Sequence, residues 1–214
     1  LALVSEGALV PAWFGEVLER ELGDWGRLSP EQIEQLYAHY LVLERWNERI
    51  SLTSVKPGVE MVVRHFCESL FFGINLSAGE KARILDIGSG AGFPGLPMAV
   101  LRPDWAVSLV ESVQRKSVFL REASRHLNNV TVLGQRAEQV KAGFDWVVSR
   151  AVHPEEVLRN LPRLASKVGL LLGETNLSLL KSFPAIAWGE PIRLPWGDRR
   201  FCVFGEMFHV KRST

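Results

Sequence analysis

The run Ile84-Leu85-Asp86-Ile87-Gly88-Ser89-Gly90-Ala91-Gly92-Phe93-Pro94-Gly95 constrains this chain more than any other stretch. An apolar segment leads into three glycines at alternate positions, the pattern of a buried strand turning sharply into a helix. Glycine accepts positive φ and lets a ligand lie against bare backbone. The first N–H groups of the following helix are expected to face the same ligand. The spacing is G-x-G-x-G, and Phe93 stands where a nicotinamide fingerprint wants its third glycine. Gly88 and Gly90 are therefore candidate contacts. Asp86, two places ahead of them, suits the cationic cofactor S-adenosylmethionine better than a pyrophosphate.

The surroundings of this turn read as strands alternating with helices, the mark of a parallel sheet. Strands are expected at residues 83–87, 106–110, 130–133, 146–149 and around 170–172. Helices are expected at 94–101, 112–127 and 154–166, with short helical turns through Glu138 and near 177–183. Residues 192–194 and 201–207 read as a final pair of strands joined by a bend over 195–198. Before residue 81 the periodicity is helical. Trp13, Phe14, Val17, Leu18 and Leu22 make one stripe; Ile33, Leu36, Tyr37, Tyr40 and Leu41 make a second. Ser29, Pro30 and Gln32 spell a capped helix start with a capping box. Residues 59–72 read as a further helix with Val62, Val63, Phe66 and Leu70 inward. The expected organisation is a helical cap over residues 1–80 and an α/β unit over 81–214, a doubly wound, mostly parallel sheet with an antiparallel last strand.

Charge divides along the same line. Residues 1–80 hold 6 Lys/Arg against 12 Asp/Glu, whereas residues 81–214 hold 19 against 12. The half with the glycine turn is the basic half, which suits a polyanionic partner as well as it suits ordinary solvated surface. No run approaches the ~20 apolar residues of a membrane span. Residues 1–9 lack a basic n-region and read against a signal peptide. Cys67 and Cys202 lie far apart with no partner His pair, against zinc and against a disulfide framework. A cytoplasmic protein without a metal is the expectation.

Three further positions carry chemistry. Glu111 closes the second strand, where a doubly wound fold places a carboxylate able to accept from both ribose hydroxyls of an adenosine. It could equally cap the helix ahead of Ser112. After the third strand, Glu138 or the backbone of Ala137 could meet the adenine edge, or begin a solvated helix. After the fourth, Arg150 should face cofactor and substrate. There it could bind the methionine carboxylate, a phosphate or a guanine edge. His153 is a candidate base, or a loop histidine packed beside Pro154. No Asn-Pro-Pro-Tyr motif is present, and neither cysteine follows the fourth strand.

Taken together, residues 85–97 resemble the cofactor motif of the RsmG (GidB) family, S-adenosylmethionine-dependent 16S rRNA (guanine-N7) methyltransferases. The extension Phe93-Pro94-Gly95-Leu96-Pro97 is more specific than the glycines. Residues 46–53 (Trp-Asn-Glu-Arg-Ile-Ser-Leu-Thr) and 65–70 (His-Phe-Cys-Glu-Ser-Leu) are similar to two further family signatures. So are Arg136-Ala137-Glu138 and Ser149-Arg150-Ala151-Val152. Ser51 stands where the family carries Asn, Glu68 where it carries Asp, and Leu172-Gly173-Glu174 replaces a common Lys-Gly.

The resemblance implies a class I methyltransferase (Rossmann-like) fold and cofactor contacts from Gly88, Phe93, Ala137, Glu138 and Arg150. It also implies 16S rRNA or the small ribosomal subunit as partner, with a guanine of the 530 loop as target. A monomer is the default. Guanine N7 has a lone pair and no proton to lose, so no general base is expected, and Arg150 would position and not transfer protons. Arg115, Lys116, Arg121, Arg125, Arg199 and Arg200 are candidate phosphate contacts. A small-molecule or protein substrate on the same fold is the alternative. A nicotinamide oxidoreductase fits less well, because Phe93 breaks its fingerprint and there is no Tyr-x-x-x-Lys site.

Overall fold

The computed structural model describes residues 9–197 and 199–208. Most of the segment read against a signal peptide, and Asp198 of the expected bend, lie outside the described residues. The chain runs α1 (Ala12–Leu22), α2 (Pro30–Asn47), α3 (Val59–Met61), a π-helical stretch (Val62–Cys67) and α4 (Glu68–Asn75). Next come β1 (Arg83–Ile87), α5 (Gly95–Leu101), β2 (Ala106–Val110), α6 (Gln114–Ala123), β3 (Val130–Leu133) and β4 (Trp146–Arg150). The last part comprises α7 (Pro154–Leu164), β5 (Lys167–Gly173), β6 (Ile186–Trp188), β7 (Ile192–Arg193) and β8 (Arg200–Met207). The sheet order is β3-β2-β1-β4-β5-β8-β6, with β7 also on β8. The first five strands are parallel, and β8 runs antiparallel to β5. Strand β6 is additional to the expected final pair; it and β7 together edge β8.

Parallel strands covered on both faces need apolar residues at successive positions, and these have them. Strand alternation sends Ile84, Val107, Leu109, Trp146, Val148 and Leu171 to one core. Leu85, Ile87, Val110, Val147, Val168, Leu170 and Leu172 go to the other. Helix α7 covers the second face through Val157, Leu158, Leu161 and Leu164. The first face is covered by α5, α6 and the helices before residue 76, whose Phe14, Leu18, Leu36, Phe66 and Leu70 join the same core.

Polar contacts fix those helices in register. Ser29 Oγ accepts from the Gln32 N–H at 3.2 Å and Gln32 Oε1 accepts from the Ser29 N–H at 2.9 Å, the expected capping box. Gln32 Nε2 also donates to the Val100 carbonyl (2.9 Å). Glu122 of α6 accepts from Arg45 and, at 2.8 Å, from Trp46 Nε1. Among the described residues no helix is long and apolar enough to cross a membrane.

Candidate active site

The carboxyl ends of β1, β2 and β4 open onto a cavity of about 580 Å³. Gly88, Gly90, Phe93, Glu111 and Arg150 line it, so the structure brings five of the eight expected residues together. Its other wall comes from the helical half through Thr53, Arg64 and His65. That wall was not expected to be functional, although Thr53 and His65 sit in two of the motifs named above.

The glycine turn is built from its own backbone and one buried acid. Gly88, Gly90 and Gly92 all have positive φ, at 71°, 52° and 88°. A Cβ on Gly88 would stand 2.3 Å from Val152 Cγ2, and one on Gly92 2.5 Å from Leu96 Cδ1. The Gly88 and Ser89 N–H groups donate to the Val110 carbonyl, tying the turn to β2. From the helical half, His39 Nε2 donates to the Ala91 carbonyl at 2.9 Å.

Asp86 does not line the cavity. Alternation turns it toward α5, where it is fully buried and Oδ2 accepts from the Gly95 N–H at 3.1 Å. The expectation that α5 offers free N–H groups to a ligand is corrected at the same place. Gly95 gives its N–H to Asp86, Leu96 to the Gly92 carbonyl and Met98 to the Pro94 carbonyl, and Pro97 has none. Asp86 therefore supports the turn from beneath.

Burial raises the Asp86 carboxyl to about 7, against the Gly95 N–H bond that lowers it. The folded state thus keeps a proton that the unfolded state releases near pH 4, and stability should fall as pH rises from about 4 to about 7. Asp86→Asn should remove that slope. Relative to the variant, the unsubstituted protein should lose on the order of 2–4 kcal/mol across this window. His39 and His65, held neutral at about 4 and about 3 mainly by burial, act in the opposite direction below pH 6.5 and cancel in the comparison. Urea denaturation at pH 4.5, 6 and 8 reads the difference; parallel curves would contradict it.

Glu111 spans the edge of the cavity. Its Oε2 accepts from the Gly90 N–H (3.1 Å) and its Oε1 from the Val113 N–H (2.8 Å). It both braces the glycine turn and holds the entry to α6. Each oxygen keeps a further lone pair.

Arg150, in phase with Trp146 and Val148, points into the face covered by the early helices. Its Nη2 donates to the Arg64 carbonyl (2.8 Å) and lies 3.0 Å from His65 Nδ1 and 3.4 Å from Glu68 Oε2. Its Nη1 has no partner. Arg200 Nη1 reaches the other Glu68 oxygen at 2.9 Å. Arg200 is thus a partner of a buried acid and not the free phosphate contact expected of it, and Arg199 lies 3.7 Å from Glu174. His65 sits in the π-helical stretch, a widened turn often found at functional sites. Its ring stacks on Phe93, with centroids 4.8 Å apart.

Ala137 and Glu138 are not brought into the cavity. They form a 3₁₀ turn (Ala137–Gln139) beyond β3, where the Ala137 carbonyl accepts from Arg163 Nη2 at 2.7 Å and Glu138 is exposed. His153 precedes Pro154 at the start of α7 and does not line the cavity either. Among the described residues no group of three or more potential ligands could hold a metal.

A parallel 3-2-1-4-5 sheet with an antiparallel strand beside β5, a glycine turn after β1 and an acid after β2 define a class I methyltransferase-like fold. Solved structures agree. A SAM-dependent methyltransferase from Aquifex aeolicus superposes with a TM-score of 0.54 at 16% identity, covering 81% of this chain and 98% of that one. Aeropyrum pernix fibrillarin, in complex with natively bound S-adenosyl-L-methionine, gives 0.53 at 16% identity, covering 65% and 73%. At such identities the likeness concerns the fold alone.

Sequence relatives are more specific. The family described as rRNA small subunit methyltransferase G (GidB) matches residues 32–176. The ribosomal RNA small subunit methyltransferase G of Lactococcus lactis subsp. cremoris is 36% identical over 198 residues, 81% of this chain and 82% of that protein. Its counterpart in Roseiflexus castenholzii is 46% identical over 138 residues, and the match spans 58% of that relative's length. The chain belongs to the rRNA small subunit methyltransferase G family.

Proposed function

We propose that this protein transfers a methyl group from S-adenosylmethionine to N7 of a guanine in the 530 loop of 16S rRNA, within the small ribosomal subunit. The observation that carries the reading is convergence. A glycine turn with no room for a Cβ at Gly88 or Gly92, a braced carboxylate and a buried guanidinium with one unpartnered nitrogen, Arg150 Nη1, meet in one cavity of a size suited to a nucleoside cofactor. When bound, S-adenosylmethionine supplies an electrophilic methyl group on a sulfonium.

The chain's residues bind and orient. Gly88 and Gly90 offer bare backbone, and the open lone pairs of Glu111 suit a ribose diol. Arg150, through Nη1, is the cation for a carboxylate or base edge, and Phe93 stacks beneath it. Asp86 acts through the turn. Ala137 and Glu138 belong to the proposed adenine end, outside the cavity walls. Neither His65 nor Asp86 is poised as a base: burial lowers the His65 pKa to about 3 and both its ring nitrogens lie within hydrogen-bond distance of a neighbour, and Asp86 is sealed away. Guanine N7, with no proton to lose, needs none, so positioning supplies the rate. Exposed Arg115 and Arg125 on and just beyond α6, Lys116 at the cavity wall, and Arg121, whose Nη1 donates to Ser117 Oγ at 3.4 Å, are the remaining candidate phosphate contacts. The proposal includes a cytoplasmic monomer, divided in function between the cap of residues 1–80 and the methyltransferase unit of 81–214.

The test is methylation of small ribosomal subunits that lack this modification, with labelled S-adenosylmethionine, followed by borohydride and aniline cleavage. One new cleavage in the 530 loop is the expected result. Cofactor binding without transfer to subunits or to naked rRNA would move the assignment to another substrate class.

A further inference from the structure

The loop after α2 holds a hydroxyl whose direction is set from outside. Asn47 Oδ1 accepts from the N–H groups of Leu52 and Thr53, both at 2.9 Å, and its Nδ2 donates to the Thr53 carbonyl at 2.9 Å. Thr53 is thereby fixed by its backbone at the cavity wall. Its Oγ1 accepts from the Val55 N–H at 3.1 Å and lies 2.7 Å from His65 Nε2.

The tautomer of His65 decides what that last contact is. Nδ1 is 3.0 Å from Arg150 Nη2 and 3.2 Å from the Arg64 carbonyl, and Nη2 also donates to that carbonyl at 2.8 Å. A guanidinium nitrogen can only donate. A proton on Nδ1 would face an N–H of Arg150 across 3.0 Å. Without it, Nη2 gives one hydrogen to the carbonyl and one to Nδ1, which at 3.0 Å is nearer than the competing Glu68 Oε2 at 3.4 Å. The network therefore assigns the His65 proton to Nε2, which donates to Thr53. Burial keeps the ring neutral, so the assignment holds across the working pH range. Both acceptor sites of the Thr53 hydroxyl are then occupied, and its own proton is left to be given to whatever enters the cavity.

We infer that Thr53 is a specificity-determining residue that reads the substrate base: its hydroxyl, locked as a donor by His65 and Arg150, takes the exocyclic carbonyl oxygen next to the nitrogen that is methylated. This rests on the guanine-N7 reading above. Guanine presents an acceptor, O6, beside N7, and adenine presents an amino donor at the same place. A locked donor favours the first and meets a second donor in the other. Had the proton sat on His65 Nδ1, Thr53 would donate to the ring, keep a free lone pair, and prefer adenine.

The experiment compares methyl transfer to small subunits carrying guanine at the target with transfer to subunits in which that nucleotide is adenine. The unsubstituted protein should prefer guanine by roughly 100-fold or more. Thr53→Val keeps the shape and removes the hydroxyl. It should lower the guanine rate by about 10–100-fold at unchanged S-adenosylmethionine affinity, so that the preference collapses. Thr53→Ser should restore most of it. His65→Phe removes the lock while leaving Thr53 in place, should also erode the preference, and serves if the valine variant fails to fold. A folded Thr53→Val that keeps its preference within twofold, or loses both rates equally, overturns the inference while leaving the proposed reaction standing. No transfer to guanine by the unsubstituted protein overturns both.

Discussion

Glu68→Ala is expected to destabilise the fold by about 3–5 kcal/mol, the range for stripping one partner from a buried ion pair. The Glu68 side chain is 1% exposed and that of Arg150 8%, and Arg200 on the opposite oxygen is 21% exposed. Burial pushes the Glu68 carboxyl up, and the two guanidiniums pull against it. Burial also lowers Arg150, but only to about 10, so it remains a cation at neutral pH. Without Glu68 that cation is held among Phe93, His65 and the Arg64 carbonyl with no counter-charge. Exposed pairs such as Arg64 with Glu60, 49% and 58% exposed, should contribute less than about 1 kcal/mol, and their removal is the control.

Glu68→Gln separates charge from shape. It fills the same space, so a loss close to that of the alanine variant would place the effect in the missing charge. Glu68→Met combined with Arg150→Met should recover part of the loss, because an apolar pair of similar volume removes both desolvation costs together. Urea denaturation followed by tryptophan fluorescence measures all three. A Glu68→Ala change under about 1 kcal/mol would show that water or rearrangement already neutralises Arg150.

That cluster also marks where reading the chain alone stops. The positions of the parallel strands, the glycine turn, Glu111 and the Ser29–Gln32 box follow from local rules: strand and helix periodicity, glycine spacing and capping chemistry. Glu68 obeys no such rule. Its motif names the position but not its partners, and only the pairing of β8 with β5 carries Arg200 to it. The π-helical turn that places His65 beside Arg150 has no sequence signal either, since the residues 59–72 carry ordinary helical periodicity. Arg150 was legible as facing the site, yet its partners were not, because they come from the helical half some 85 residues earlier. Conversely, Asp86 was legible as important but for a ligand. Its neighbour Gly95 lets α5 pack so close that an added Cβ would stand 2.7 Å from its carboxylate, and that closeness makes it a brace instead.

Gly88→Ala should weaken S-adenosylmethionine binding by roughly 10–100-fold, which corresponds to about 1.4–2.8 kcal/mol. Two costs combine. At φ 71° an alanine sits in the left-handed region, worth about 1–2 kcal/mol against the turn. Its Cβ would also lie 2.3 Å from Val152 Cγ2, a contact that requires one of them to move. Val152 is β-branched and stiff about χ1, so it yields by shifting as a unit. It lines the same cavity, and the shift therefore intrudes on the space proposed for the cofactor. Val152→Ala in the Gly88→Ala background removes the steric part and leaves the backbone part. The double-mutant cycle should show a favourable coupling of about 1 kcal/mol, because the two groups touch. Titration calorimetry with S-adenosylmethionine gives affinity, and thermal melts without it give the strain. Affinity that falls in step with the melts and is not rescued by Val152→Ala would make Gly88 a backbone requirement only. Affinity unchanged in Gly88→Ala would move the cofactor away from the glycine turn altogether.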